Sequence, residues 1–82
     1  MELKDTIEGM ISSDYKERFK AEYNQLRIRR KKLWVVLEKD SLGELDFELT
    51  SPTLLHDQLV VMDNLLSILE ERAELEGVKL NE

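Results

Sequence analysis

Five of the chain's twelve basic residues occupy the six positions RIRRKK, Arg27 to Lys32, in a protein of net charge −6. Guanidinium and ammonium groups at that density can hold phosphate or carboxylate, the arginines by a two-pronged contact. On a helix they do not share one surface. Arg27 and Lys31 are four apart and meet on one edge with Arg30 close by, while Arg29 and Lys32 turn elsewhere. Trp34 and Tyr23 can supply an aromatic plate near that edge. An aromatic platform beside a basic phosphate clamp is a common way to hold a nucleotide. Each ring taken singly also suits packing in a core or interface.

Arg30 follows Leu26 by four and precedes Leu33 by three, on what reads as an apolar stripe. Such a position ordinarily holds an apolar side chain, so a guanidinium there requires an anion. A ligand phosphate at an interface would supply it. So would Glu70, Glu71 or Glu74 of another copy, or the side chain would snorkel to water. Tyr15, followed by Lys16 and Arg18, stands where a helix begins, a place that receives anions. The same tyrosine suits a staple that packs the N-terminal segment. The single histidine, His56, lies beside Asp57 in a chain without cysteine, and makes neither a recognisable metal site nor a triad. Glu70, Glu71, Glu74 and Glu76 read as a solvated face, and no phosphate-binding glycine motif occurs. The reading assigns no catalytic residue, no metal and no cofactor, and expects a protein that is not an enzyme.

The elements that must carry these groups are helices. Residues 2–10 place Leu3, Ile7 and Met10 at helical spacing, within an N-terminal arm spanning 1–12. Ser12, Ser13 and Asp14 offer an N-cap, and Asp14 with Glu17 forms a capping-box-like pair. Tyr15, Phe19, Tyr23, Leu26, Leu33 and Leu37 then fall on one stripe of a first long helix over 14–39, about 39 Å long at 1.5 Å per residue. The connection, 40–51, holds Asp40, Ser41 and Gly43 for a helix end, and Leu42, Leu45, Phe47 and Leu49 to fold back. Thr50 or Ser51 before Pro52 opens a second long helix over 52–76, which carries Leu55, Leu59, Met62, Leu66, Leu69 and Ala73 and stops at Gly77. The fold class is therefore all-α: one domain, 1–82, built as an antiparallel two-helix hairpin with a short N-terminal helix or arm.

Composition narrows the function classes. Charged residues are 37% and apolar ones 41% of 82 residues, which fits patterned helices rather than disorder. Residues 33–82 hold three basic and twelve acidic groups. Bulk nucleic-acid binding is disfavoured, because phosphate would repel most of the surface. No apolar run reaches the roughly 20 residues of a membrane span. The opening MELKDTIEGM does not suit a signal peptide, and the absence of cysteine is compatible with a reducing cytoplasm. The second helix also has surplus apolar surface: Leu54, Val61, Leu65 and Ile68 lie beside its core stripe, and Val60 widens it. A chain this short rarely stands alone, so a homo-oligomer is expected. The alternative is a monomeric three-helix bundle in which the N-terminal segment covers that face.

DYKERFKAEYNQLRIRRKKLWVVLEK, a polar break, then LLHDQLVVMDNLLSILEERAELEG resembles the small helical-hairpin proteins of tailed phages and prophages related to the anti-CBASS and anti-Thoeris sponges. The resemblance covers roughly 14–77 and includes Gln58, Met62, Leu69 and Arg72 in a Q-x3-M-x6-L-x2-R arrangement. It implies an oligomer of hairpins in the bacterial cytoplasm that sequesters a cyclic nucleotide immune signal between protomers without cleaving it. Tyr15 with Lys16 matches the family's aromatic–basic pair in type, implying a stacked base. Arg27, three after Asn24, resembles its Asn-x-x-basic element, implying phosphate contacts from the first long helix. The ligand-binding set expected on this basis is Tyr15, Lys16, Arg27, Arg30 and Lys31. Two rivals belong to other classes: an oligomeric hairpin that blocks a host protein, and an acidic DNA mimic, which the RIRRKK cluster disfavours.

Overall fold

A computed structural model describes residues 1–41 and 51–80, and its described elements are all helical. A 3-10 turn over Leu3–Thr6 runs into a single turn, α1, over Ile7–Met10. The two long helices are α2, Tyr15–Ser41, and α3, Pro52–Glu76.

Asp14 starts α2. Its Oδ1 accepts from the Lys16 backbone N–H at 3.0 Å, which satisfies one of the orphan donors of a helix start. The expected capping-box partner, Glu17, is displaced from that role. The Asp14 N–H donates to Ser12 Oγ at 3.1 Å, and Glu17 pairs with Lys20 at 3.6 Å. At the other end α2 runs two residues past the expected boundary. Asp40 and Ser41 continue the helix, since neither forbids it as glycine or proline would. The leucines and Phe47 expected to fold back over the connection lie outside the described residues.

α3 begins as its sequence dictates. Ser51 is the extended N-cap residue and Pro52 the first helical residue, where the missing N–H is harmless. It ends at Gly77, whose φ of 73° is the left-handed conformation that glycine adopts without a Cβ penalty. Val78 N–H then reaches back to Ala73 O at 2.8 Å, a Schellman closure, and tucks the Val78 side chain into the core. No residue in the last turn of α3 is basic, but Lys16 of α2 donates to Gly77 O at 3.2 Å and supplies a cation at that negative dipole end.

Contacts between the long helices fix their direction. Tyr15 meets Glu76, Tyr23 meets Glu70, and Arg30 meets Asp63, so α2 and α3 run antiparallel. Phe19, Tyr23, Leu69, Ala73 and Val78 form the buried cluster, with Leu26, Leu66 and Leu80 packed against it. Leu69 is 1% exposed, and burying a leucine fully stabilises a fold by roughly 1.5–3 kcal/mol.

The arm settles on α2. Gly9 lies so close that a Cβ placed there would be 2.9 Å from Ala21 Cβ, and Ala21 and Thr6 are buried beneath it. Among the described residues the arm packs against α2 and not α3. The alternative in which it covers the surplus apolar face of α3 is therefore not the arrangement found. Leu54, Val61, Ile68 and Leu75 remain more than half exposed.

Candidate functional site

Helix geometry sorts the polar groups onto faces. One residue turns a helix by about 100°, so each position after a core residue looks to one side. On α2, Arg27, Lys31 and Trp34 follow the stripe positions 26, 30 and 33; on α3, Asp63 and Glu70 follow the buried Met62 and Leu69. In an antiparallel pair these forward steps point to the same broad face. Leu54, Val61, Leu65 and Ile68 each precede an α3 stripe position and point to the opposite face.

On the first face lies an open groove of about 390 Å³, lined by Arg27, Arg30, Lys31, Trp34 and Leu66. Three of the five residues expected to bind ligand meet there. Arg30, on the core stripe, satisfies its need for an anion within its own chain. Its Nε donates to Asp63 Oδ1 at 2.8 Å and its Nη2 to Asp63 Oδ2 at 3.3 Å, a two-pronged pair. The expectation was a ligand phosphate, or Glu70, Glu71 or Glu74 of another copy; the carboxylate found beside Arg30 is Asp63 of the same chain. Glu70 lies seven residues further along α3 than Asp63, about 10 Å away at helical rise, beside Tyr23 instead. The signal that finds Asp63 is the antiparallel pairing itself, which sets position 30 against the low sixties.

Arg27 rests its guanidinium carbon 5.7 Å from the centre of the Tyr23 ring, a cation–π contact. Tyr23 is buried, and its hydroxyl donates to Glu70 Oε2 at 2.9 Å. Burial first, and then the Glu70 hydrogen bond, push the Tyr23 hydroxyl above its ordinary range, so it stays a neutral donor. Arg27 and Lys31 also border a second hollow of about 320 Å³, completed by Asn24, Ile28 and Met1 of the arm. Asn24 and Arg27, the Asn-x-x-basic pair, thus share a wall. Trp34, 43% exposed, is the aromatic surface of the larger groove, while Tyr23 serves as core and as support for Arg27.

Tyr15 and Lys16 stand apart from these residues. Twelve residues separate Tyr15 from Arg27, about 18 Å along α2. Tyr15 belongs to a clasp that joins the start of α2 to the end of α3. Its hydroxyl donates to Glu76 Oε1 at 2.6 Å and accepts from Arg72 Nη2 at 2.8 Å. Arg72 Nε completes the ring on Glu76 Oε2 at 2.9 Å, and its guanidinium lies 5.1 Å from the centre of the Phe19 ring. Tyr15 packs edge-on against Phe19. The Tyr15 hydrogen bond, then Arg72, hold the Glu76 carboxyl below the ordinary carboxylate range, and Glu76 in turn raises the Tyr15 hydroxyl. Sequence reading placed Tyr15 at a helix start and Glu76 on a solvated face. It missed that the antiparallel packing of α2 and α3 brings the two together.

The class defined so far is a small all-helical protein with a cationic, aromatic-walled groove on one face and an uncovered apolar stripe on the other. No helix of the described residues is long and apolar enough to cross a membrane, and none of their acidic and histidine side chains group to hold a metal ion. The family model of Sequestin matches residues 13–75, from the cap of α2 to the last turn of α3, and the chain belongs to the Sequestin family. The family's name denotes sequestration of a ligand. Comparisons with curated proteins and with solved structures return no match. The matched span carries the groove and, of the clasp, Tyr15 and Arg72, with Glu76 one residue beyond it, whereas the arm lies outside it.

Proposed function

We propose that this protein sequesters a cyclic nucleotide immune signal, a cyclic oligonucleotide or a cyclic ADP-ribose-like molecule, without cleaving it. By the resemblance it carries, it acts in the cytoplasm of an infected or lysogenic bacterium and blunts antiviral defence. The observation that carries the reading is the meeting of Arg27, Arg30 and Lys31 around one groove in an otherwise acidic chain of the Sequestin family. Arg27 and Lys31 hold phosphate, and Arg30, oriented by Asp63, borders it. Tyr15 and Lys16 reach the same ligand from a second copy, since within one chain they lie too far along α2. The exposed stripe on α3 supports that assembly, because a contiguous apolar strip on so small a chain marks an interface.

Isothermal titration with cyclic dinucleotides, cyclic trinucleotides and cyclic ADP-ribose isomers tests the reading. Heat is expected with at least one of them, the nucleotide is recovered intact, and Arg27→Ala with Lys31→Ala lowers affinity at least about tenfold, the worth of one charge-assisted contact. Absence of heat and of thermal shift with the whole panel refutes it. The same exposed stripe favours a second reading, a hairpin module that blocks a host protein. Under that reading the double variant keeps full activity, and changes to Leu65 and Ile68 remove it.

A further inference from the structure

We infer that Trp34 is the surface on which a ligand base stacks, making the Arg27–Lys31–Trp34 groove a complete nucleotide subsite within one protomer. The inference rests on the sequestering reading and names the residue that recognises the base. Three observations support it. First, position: Trp34 follows Lys31 by three and Arg27 by seven, so the ring and both cations lie on one edge of α2 and line one groove. Second, exposure: the large rings of the core are buried, yet the indole is 43% exposed in a chain with a single tryptophan. An indole of that size ordinarily contributes to a core or an interface. The uncovered apolar stripe that an interface would use lies on the opposite face, so a second copy seated there leaves Trp34 open. Third, charge: Arg30 is engaged with Asp63 through both prongs, so Arg27 and Lys31 are the cations this groove presents to a phosphate attached to the stacked base. Arg27 is itself held over the Tyr23 ring, which fixes one phosphate contact relative to the indole.

Tyr15 does not duplicate this role within the protomer. Its hydroxyl is tied to Arg72 and Glu76, and it stands about 18 Å from Arg27. A ligand with two bases would use Trp34 of one copy for one base and Tyr15 of another copy for the second.

Because Trp34 is the only tryptophan, its emission reports on this groove alone. The experiment titrates the full chain with cyclic di-AMP, cyclic di-GMP, a cyclic trinucleotide and cyclic ADP-ribose, following indole emission and heat in parallel. Tripolyphosphate serves as a probe without a base. A binding nucleotide is expected to quench the emission with the affinity seen by heat, whereas tripolyphosphate leaves the emission unchanged. Trp34→Leu should weaken nucleotide binding roughly 5- to 150-fold, the usual worth of one base–aromatic stack, and Trp34→Phe should restore most of it. Heat from a nucleotide with unchanged emission and full affinity in Trp34→Leu overturns the inference and leaves the sequestering reading standing. Quenching that follows a change in subunit number by light scattering, with full affinity in Trp34→Leu, overturns it as well. No heat with any nucleotide overturns both.

Discussion

Gly9→Ala is a sharp test of how the arm is attached. The added Cβ would lie 2.9 Å from Ala21 Cβ and 3.3 Å from Glu17 O, both fixed on α2. Carbon atoms rest at about 3.5–4.0 Å, so the arm must retreat by roughly 1 Å or let go. Overpacking of this kind costs about 1–3 kcal/mol, against a helix-propensity gain of at most about 1 kcal/mol, which one turn of helix cannot realise in full. The loss is also capped, because once it exceeds the docking free energy of the arm the arm releases and α2 and α3 stay paired. Native-state hydrogen exchange reads this directly. The amides of Asp5, Ile11 and Ser12, bonded to Glu2, Ile7 and Gly9, should lose protection by about 5- to 30-fold, the factor that 1–2 kcal/mol gives, while amides around Leu69 keep theirs. Ala21→Gly in the same chain removes the clashing methyl and should return protection to the arm. The release also withdraws Met1 from the hollow it shares with Arg27 and Lys31. Undiminished arm protection in Gly9→Ala, or a double variant no better than the single one, would refute the close-approach account.

Two further expectations follow from the bare face of α3 and from the clasp. Leu65→Glu with Ile68→Glu should shift the protein to a smaller species by light scattering without loss of helical circular dichroism, because both side chains are exposed and neither supports the core; an unchanged mass would exclude that face as the interface. The clasp predicts an acid limb in stability. Glu76 is held below the ordinary carboxylate range, so the unfolded chain takes up its proton at a higher pH than the folded one. The clasp's contribution is therefore complete above about pH 4.5 and is lost as pH falls through the folded value. Thermal unfolding from pH 7 to pH 3 should show a shallower acid decline in Glu76→Gln than in the parent, and identical declines would contradict the clasp.

The sequence carried the elements well because its punctuation is local. One proline after Ser51 and one glycine after Glu76 bracket α3, and each acts through a backbone property that needs no tertiary context. Asp14 at the head of α2 is legible for the same reason. What the sequence read less well depends on pairing between α2 and α3. Arg30 stood out as a cation on an apolar stripe, yet its anion was sought in a ligand or in another copy; antiparallel pairing supplies Asp63 of the same chain. Tyr15 and Glu76 were each read from their own helix, and only the approach of the two helix ends turns them into one hydrogen-bonded unit. The route of the arm was equally hidden, since it turns on Gly9 matching Ala21, a steric fit between small residues that leaves little hydrophobic pattern.

The basic cluster in an acidic chain has a simple physical account once its members are followed individually. Arg30 is neutralised inside the chain, by a carboxylate 33 residues away in sequence. Arg27 is spread over an aromatic ring and joins Lys31 at a groove with an indole wall. Arg29 and Lys32, two and one residues ahead of these, turn to other parts of the helix circumference. The run therefore does not create one strong positive field, and beyond the Debye length of about 8–10 Å salt screens what field its exposed members have. It creates a short-range cationic edge whose reach is a few ångströms, suited to a compact anion and poorly suited to a polymer. The apolar stripe of α3 occupies the other face, so in the proposed reading the residues that bring copies together are not those that line the groove. Under the proposed reading, Leu65→Glu with Ile68→Glu is expected to lower the subunit number and with it withdraw the second copy's Tyr15 and Lys16 from the ligand, whereas Arg27→Ala, Lys31→Ala or Trp34→Leu is expected to weaken binding with the subunit number unchanged.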